Sequence, residues 1–160
     1  MPYDPPDDTS EALVLRPELT LSVTRGSRIL MRSLGHAVLC EFPLSNGRRA
    51  DLVALGRDGS IRIVEVKSSI ADFRADDKWR HYRPFCDRFY FAIPLALAES
   101  ASGGIFPLEA GLIVADAHGA VIERESPVHA MAPAARRALL MRFGALAATR
   151  LHAALHPGEP

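Results

Sequence analysis

The feature that most constrains this chain is a pair of short strand-like runs, each carrying a carboxylate, joined by a turn that begins and ends in glycine. Arg49-Ala50-Asp51-Leu52-Val53-Ala54-Leu55 leads through Gly56-Arg57-Asp58-Gly59 into Ile61-Arg62-Ile63-Val64-Glu65-Val66-Lys67. Runs this rich in β-branched and apolar residues read as strands. A connection this short makes them antiparallel. The turn then decides what the carboxylates do. A two-residue Asp58-Gly59 turn sets Asp51 opposite Val66 and sends the two carboxylates to opposite faces. A three-residue Arg57-Asp58-Gly59 loop, with Gly59 left-handed, sets Asp51 opposite Glu65 with their Cβ atoms ~5 Å apart on one face. Lys67 projects to that same face two residues on. The turn sequence permits both registers. The second is the expected one, because it makes sense of carboxylates that are otherwise costly in apolar strands.

Two carboxylates at that separation repel unless a cation sits between them. Oxygen ligands from Asp51 and Glu65, completed by water, suit Mg²⁺ or Mn²⁺. Such an ion can hold a scissile phosphate and lower the pKa of a bound water. Lys67 can orient that water or offset charge on the transition state. The Val66 carbonyl is a further candidate ligand, and Ser68 can bind phosphate or cap the next helix. The plainer reading is an ordinary strand alternation, Val64-Glu65-Val66-Lys67, on an exposed edge with a cross-strand salt bridge. Spacing alone does not separate the two.

The flanking sequence supplies the rest of a single α/β domain, with strands and helices in one mixed sheet (an α+β mixed-sheet class). Residues 1–16 are acidic and Pro-rich and read as a flexible tail, which leaves 17–156 as the domain. Leu19, Val23, Ile29, Leu30 and Leu34 recur at near-helical spacing from Glu18, Gly35 is a plausible stop, and Gly26 weakens the middle. Residues 36–44 read as a strand, turned at Asn46-Gly47. Ser69 and Asp72 have capping-box spacing, so a helix is expected from Ile70 to about Arg83, with a bend near Phe73 and an end at Pro84. The strand 87–93 follows a helix and should lie parallel to 61–67. Residues 95–107 read as loop or short helix, and 111–115 with 120–124 as a hairpin. An Ala- and Leu-rich helix from Pro133 to about Leu155 buries Leu139, Phe143, Leu146 and Leu151. The order is αβββαβ, then ββα, with no internal repeat.

Composition narrows the setting. A length of 160 residues suits one domain with a proper core. No apolar run reaches the ~18 residues of a membrane helix, and the N-terminus lacks the basic and apolar regions of a signal peptide. Two cysteines without CxxC spacing fit buried free thiols in a reduced compartment. The cytoplasm is the expected location. Net charge is zero, but the first eleven residues hold Asp4, Asp7, Asp8 and Glu11 and no base, so the remainder carries about +4. That suits a local basic rim better than a broad DNA-coating surface.

Four strings carry a resemblance. They are Arg49 to Leu55; Ile63-Val64-Glu65-Val66-Lys67-Ser68-Ser69; Asp72-Phe73-Arg74-Ala75-Asp76-x-Lys78-Trp79-xx-Tyr82; and Cys86-Asp87-Arg88-Phe89-Tyr90-Phe91-Ala92. Together they resemble the bacterial MmcB-type DNA repair proteins of the PD-(D/E)XK nuclease superfamily. The resemblance implies a restriction-endonuclease-like αβββαβ core. It also implies DNA as partner, Asp51 and Glu65 as metal ligands, and Lys67 as a catalytic assistant. The proline that the superfamily places before the first carboxylate is Ala50 here, a position that varies.

Other residues are accessory candidates. Glu41 reads as a third acidic ligand or as an exposed partner for Arg49, the supporting structural role being the favoured one. Lys78 and Tyr82, at i and i+4, are expected to share a helix face; they read equally as a solvated lysine beside a packed tyrosine or as a pair bordering the site, as a Gln-xxx-Tyr pair does in RecB-like nucleases. Trp79 reads as core, and Asp72 as a helix cap. Arg48, Arg49, Arg74, Arg80 and Arg83 are candidate phosphate contacts. Arg136 and Arg137 oppose the dipole of the last helix, which suggests an anion or partner there. The function expected is a Mg²⁺- or Mn²⁺-dependent deoxyribonuclease in DNA repair. The alternatives are a non-catalytic DNA-binding or repair-assembly module, and a protein–protein adaptor. The small DNA footprint leaves room for another repair protein or a homodimer.

Overall fold

Six strands lie side by side in chain order: β1 (Ala37–Pro43), β2 (Arg49–Leu55), β3 (Ile61–Val66), β4 (Arg88–Pro94), β5 (Gly111–Ala115) and β6 (Ala120–Arg124). The computed structural model describes residues 8–74, 77–101 and 103–159. Tail residues 1–7 and the Ala75-Asp76 pair of the third string lie outside them. β1, β2 and β3 are joined by tight turns and pair antiparallel. A helical segment intervenes before β4, which pairs parallel to β3, as a crossover connection requires. β5 is parallel to β4, and β6 returns antiparallel. The sheet is therefore mixed, in the expected element order.

Both faces of the sheet are covered, so its central strands are apolar on both sides. Helix α1 (Asp8–Ser33) packs against Leu52, Ala54, Val64, Tyr90, Ala92 and Ile113. The opposite face carries an aromatic core. There the 3₁₀ segment Lys78–Phe85 sets Trp79 and Tyr82 on Phe89 at 5.6 and 5.9 Å between ring centroids. Helix α4 (Pro133–Leu155) adds Leu139 and Phe143 to that core. The short helices α2 (Ile70–Arg74) and α3 (Ala98–Ala101) complete the connections. No described helix is long and apolar enough to cross a membrane.

Several expectations need correction. Helix α1 begins at Asp8 and runs through Pro17, so residues 8–16 are helical and the boundary set at 17 falls inside a helix. Strong helix formers from Glu11 to Leu15 carry it there. Its inward row is Val23, Gly26, Ser27 and Met31, while Ile29 and Leu34 are exposed. Gly26 is required rather than tolerated: a Cβ there would stand 2.2 Å from the Asp116 carbonyl oxygen and 2.3 Å from that of Gly119. The helix expected over 70–83 splits into α2 and the 3₁₀ segment, which runs past Pro84. Trp79, Tyr82 and Phe85 all turn to the core at intervals of three, the 3₁₀ period. Lys78 is thereby rotated about a third of a turn from Tyr82; it is exposed where Tyr82 is buried, so the two do not share a face. On α4, Leu151 is exposed, while the neighbouring Arg150 turns to β1.

Candidate active site at the splayed end of the β2–β3 hairpin

The hairpin adopts the three-residue loop. Leu52 pairs with Val64, Val53 with Ile63 and Leu55 with Ile61. Gly59 is left-handed at φ 80°, and the Gly56 N–H donates to the Ser60 carbonyl at 2.8 Å. This register sets Asp51 against Glu65, where the ladder of paired backbone groups stops and the strands separate. Side chains take over the bonding. The Asp51 N–H donates to Glu65 Oε1 at 3.1 Å, and the Val66 N–H donates to Asp51 Oδ2 at 2.7 Å. Each carboxylate thus satisfies a backbone donor that the separating strands would orphan. Glu65 is 6% exposed and Asp51 is half-buried.

Charge around Asp51 is mixed. Burial pushes its carboxyl above the ordinary aspartate value, and the Glu41 charge adds to that rise. The Val66 N–H, Lys67 and Arg49 pull the other way. Lys67 follows β3, its N–H donating to the Ala92 carbonyl at 2.9 Å. Asp51, Glu65 and Lys67 therefore occupy one neighbourhood.

Glu41 faces Asp51 from β1. It is left-handed at φ 52°, a conformation that costs a residue with a Cβ. Its carboxylate pairs with Arg49 Nε at 2.5 Å. Arg150 of α4 donates to the carbonyls of Cys40 and Glu41 at 2.6 and 3.1 Å, holding this kink from outside. No local signal marked Arg150, which reaches the site only because α4 folds back across β1.

The remaining candidates scatter. The Tyr82 hydroxyl donates to the Arg49 carbonyl at 3.3 Å, which brings the 3₁₀ segment to the strand beside Asp51. The Ser69 hydroxyl accepts the Asp72 N–H at 3.1 Å and is the helix cap; the Asp72 carboxylate instead accepts from the Ser68 hydroxyl at 3.0 Å. Arg48 is half-buried, with its N–H on Asn46 Oδ1 at 3.1 Å. Arg74 is exposed at the end of α2, and Arg80 lies over the Trp79 ring at 4.9 Å. Arg83 bonds the Glu109 carbonyl and His129. The anion inferred beside Arg136 is internal: its guanidinium grips both oxygens of Asp87, at 2.8 and 2.6 Å.

Among the described residues, no three His, Cys, Asp or Glu side chains stand together as a ligand set. Any cation at Asp51 and Glu65 would rest on two carboxylates, with a backbone carbonyl, water and substrate phosphate as further ligands. That water-rich oxygen shell is the one Mg²⁺ favours. A cleft of about 400 Å³, lined by Asp58, Arg62, Asp87 and Arg136, lies at the opposite end of β3.

A solved protein of unknown function from Silicibacter pomeroyi shares 38% identity with this chain. The match has a TM-score of 0.80 and covers 89% of this chain and 95% of that one. No curated protein matches. A family model described as DNA repair protein MmcB-like matches residues 8–158, nearly the whole length described, and the chain belongs to the MmcB-like DNA repair protein family.

Proposed function

We propose that this protein is a divalent-metal-dependent deoxyribonuclease of the PD-(D/E)XK type that hydrolyses phosphodiester bonds during DNA repair. The observation that carries the reading is the reciprocal pair Asp51 and Glu65, placed on one face where β2 and β3 separate, with Lys67 beside it. The site lies at the carboxyl end of β3, beside the crossover to β4, where open α/β sheets bind their ligands. Family membership supports the DNA repair role.

Asp51 and Glu65 would hold Mg²⁺ or Mn²⁺, which when bound supplies a Lewis acid toward the phosphate and a water of lowered pKa. The protein's own part is positional and electrostatic. The Val66 N–H and the Asp51 N–H fix the two carboxylates in place. Lys67 puts a positive charge where negative charge develops on the phosphate. Arg49, two residues before Asp51 and paired with Glu41, is exposed at the same strand end, where it would meet a bound phosphate.

A second reading has its own observation. Both carboxylates already bond backbone donors, which is what a pair kept for structure alone would also do. It makes the protein a DNA-binding or repair-assembly module without hydrolysis. A cleavage assay on single-stranded, duplex, branched and damaged DNA, with Mg²⁺ and Mn²⁺, separates the two. The nuclease reading expects wild-type cleavage that drops by a factor of roughly 10³ or more in Glu65→Ala and Lys67→Ala, with circular dichroism unchanged. Binding without cutting under every condition supports the module instead.

A further inference from the structure

The charge of this chain is unevenly placed. Three segments meet on the aromatic face of the sheet: the β1–β2 hairpin over 42–50, the 3₁₀ segment Lys78–Phe85, and helix α4. None contains Asp or Glu, in a chain whose formal net charge is zero. The first two are tied by the Asn46 amide on the His81 carbonyl at 3.1 Å and the Tyr82 hydroxyl on the Arg49 carbonyl, and α4 meets the hairpin through Phe143 on Phe42 at 6.0 Å between ring centroids. Arg142 of α4 lies on this face, and among the described residues it meets no acidic partner.

Where the three segments meet they leave a groove of about 240 Å³, open to solvent. Phe42, Leu44 and Leu139 form its floor, Phe85 and Ala138 its sides, and Arg142 its rim. Its size suits one flat aromatic group rather than a duplex. It also adjoins the candidate site, because Phe42 follows Glu41 and its pairing partner Ala50 precedes Asp51. An apolar slot whose lining holds one cation, Arg142, and no carboxylate fits a nucleic-acid base with a flanking phosphate on that guanidinium. An acidic protein segment would find only this one cation in the lining to hold it.

We infer that this groove takes an unpaired base, and that the favoured substrate class is DNA with single-stranded or splayed nucleotides. The inference rests on the DNA-directed reading of the site, and concerns which DNA is held rather than whether it is cut. The test is fluorescence anisotropy in EDTA, with a labelled single-stranded oligonucleotide of roughly 16 nucleotides and its duplex. Wild type should bind the single strand roughly tenfold more tightly. Ala138→Trp, an exposed helix position, should fill the groove and abolish that preference while melting normally. Arg142→Glu should weaken binding to both DNAs. Equal affinity of wild type for the two DNAs, or a preference that survives Ala138→Trp, overturns the inference and leaves the groove to an apolar protein anchor. Cleavage does not enter this readout. A protein that prefers single strands but never cuts would defeat the nuclease reading alone. One that cuts through Glu65 without the preference would defeat the groove alone.

Discussion

Asp51 shows at the scale of one residue what burying a carboxylate costs the fold. Burial raises its folded-state pKa above the unfolded value. Its favourable contribution is therefore fully present below the unfolded pKa and is lost as pH rises through the folded pKa, where the buried group must ionise. Asp51→Asn removes that cost, and the amide oxygen can still accept the Val66 N–H. The variant should melt about 2–4 °C above wild type near pH 8, an effect of about 1 kcal/mol. The gap should close as pH falls below the ordinary carboxylate range. Calorimetry across pH checks this, and a variant that melts lower than wild type at pH 8 would contradict it. A stabilised but inactive Asp51→Asn is the signature of a residue retained for function. Glu41 is a second example, held left-handed opposite Asp51 by Arg49 and Arg150.

At the scale of elements, two contacts fix how helices sit on the sheet. The Asp87 carboxylate accepts the Ile61 N–H at 2.7 Å and both arms of Arg136, so one side chain ties the starts of β3, β4 and α4. The Arg136 hydrogen bonds hold its carboxyl below the usual aspartate value. That stability is present above the unfolded pKa and is lost as pH falls through the depressed folded one. Arg136→Ala should cost about 1–3 kcal/mol at neutral pH, with the deficit shrinking toward pH 3 in denaturant titrations. A deficit independent of pH would show that Arg136 acts through packing alone. Gly26→Ala is the second case. Propensity alone favours alanine by about 1 kcal/mol in a helix interior, yet a Cβ there meets the backbone of the β5–β6 turn. The variant should lose about 2–4 kcal/mol; one as stable as wild type would mean that α1 can shift off the hairpin.

These elements also show what the sequence made legible. The turn sequence permitted two registers, and the three-residue one was readable because it alone sets the costly carboxylates of Asp51 and Glu65 on one face; the pairing has that register, with Gly59 left-handed. Parallel pairing of β3 with β4 followed from the intervening helical segment. The 3₁₀ segment was not readable from an α-helical period: Trp79, Tyr82 and Phe85 fit a period of three only once the sheet beneath them is known. Arg150 and the Asp87–Arg136 pair were out of reach because they join residues distant in sequence, which no local pattern encodes.

The whole molecule is a sheet sealed on both faces, and that determines how its interior can be reached. Cys86 opens the β4 side of the aromatic core; it is 0% exposed, its thiol faces the Tyr82 carbonyl at 3.6 Å, and burial pushes its pKa up to about 12. Cys40 on β1 is only partly buried, though burial raises its thiol as well. A thiol reagent near pH 8 should therefore modify Cys40 slowly in the folded protein and leave Cys86 untouched, because the reactive species is the thiolate. Cys86 should be labelled only as the chain unfolds, at a rate that rises with denaturant along the global unfolding curve. Peptide mapping of each cysteine after timed labelling reads this directly. Labelling of Cys86 at a rate insensitive to denaturant would show that the 3₁₀ segment lifts from the sheet by itself. That outcome would bear on the site, since the same segment carries the Tyr82 hydroxyl to the strand beside Asp51. Labelling confined to global unfolding would make that wall rigid, so that on the proposed nuclease reading DNA would meet Asp51 and Glu65 on a surface already formed.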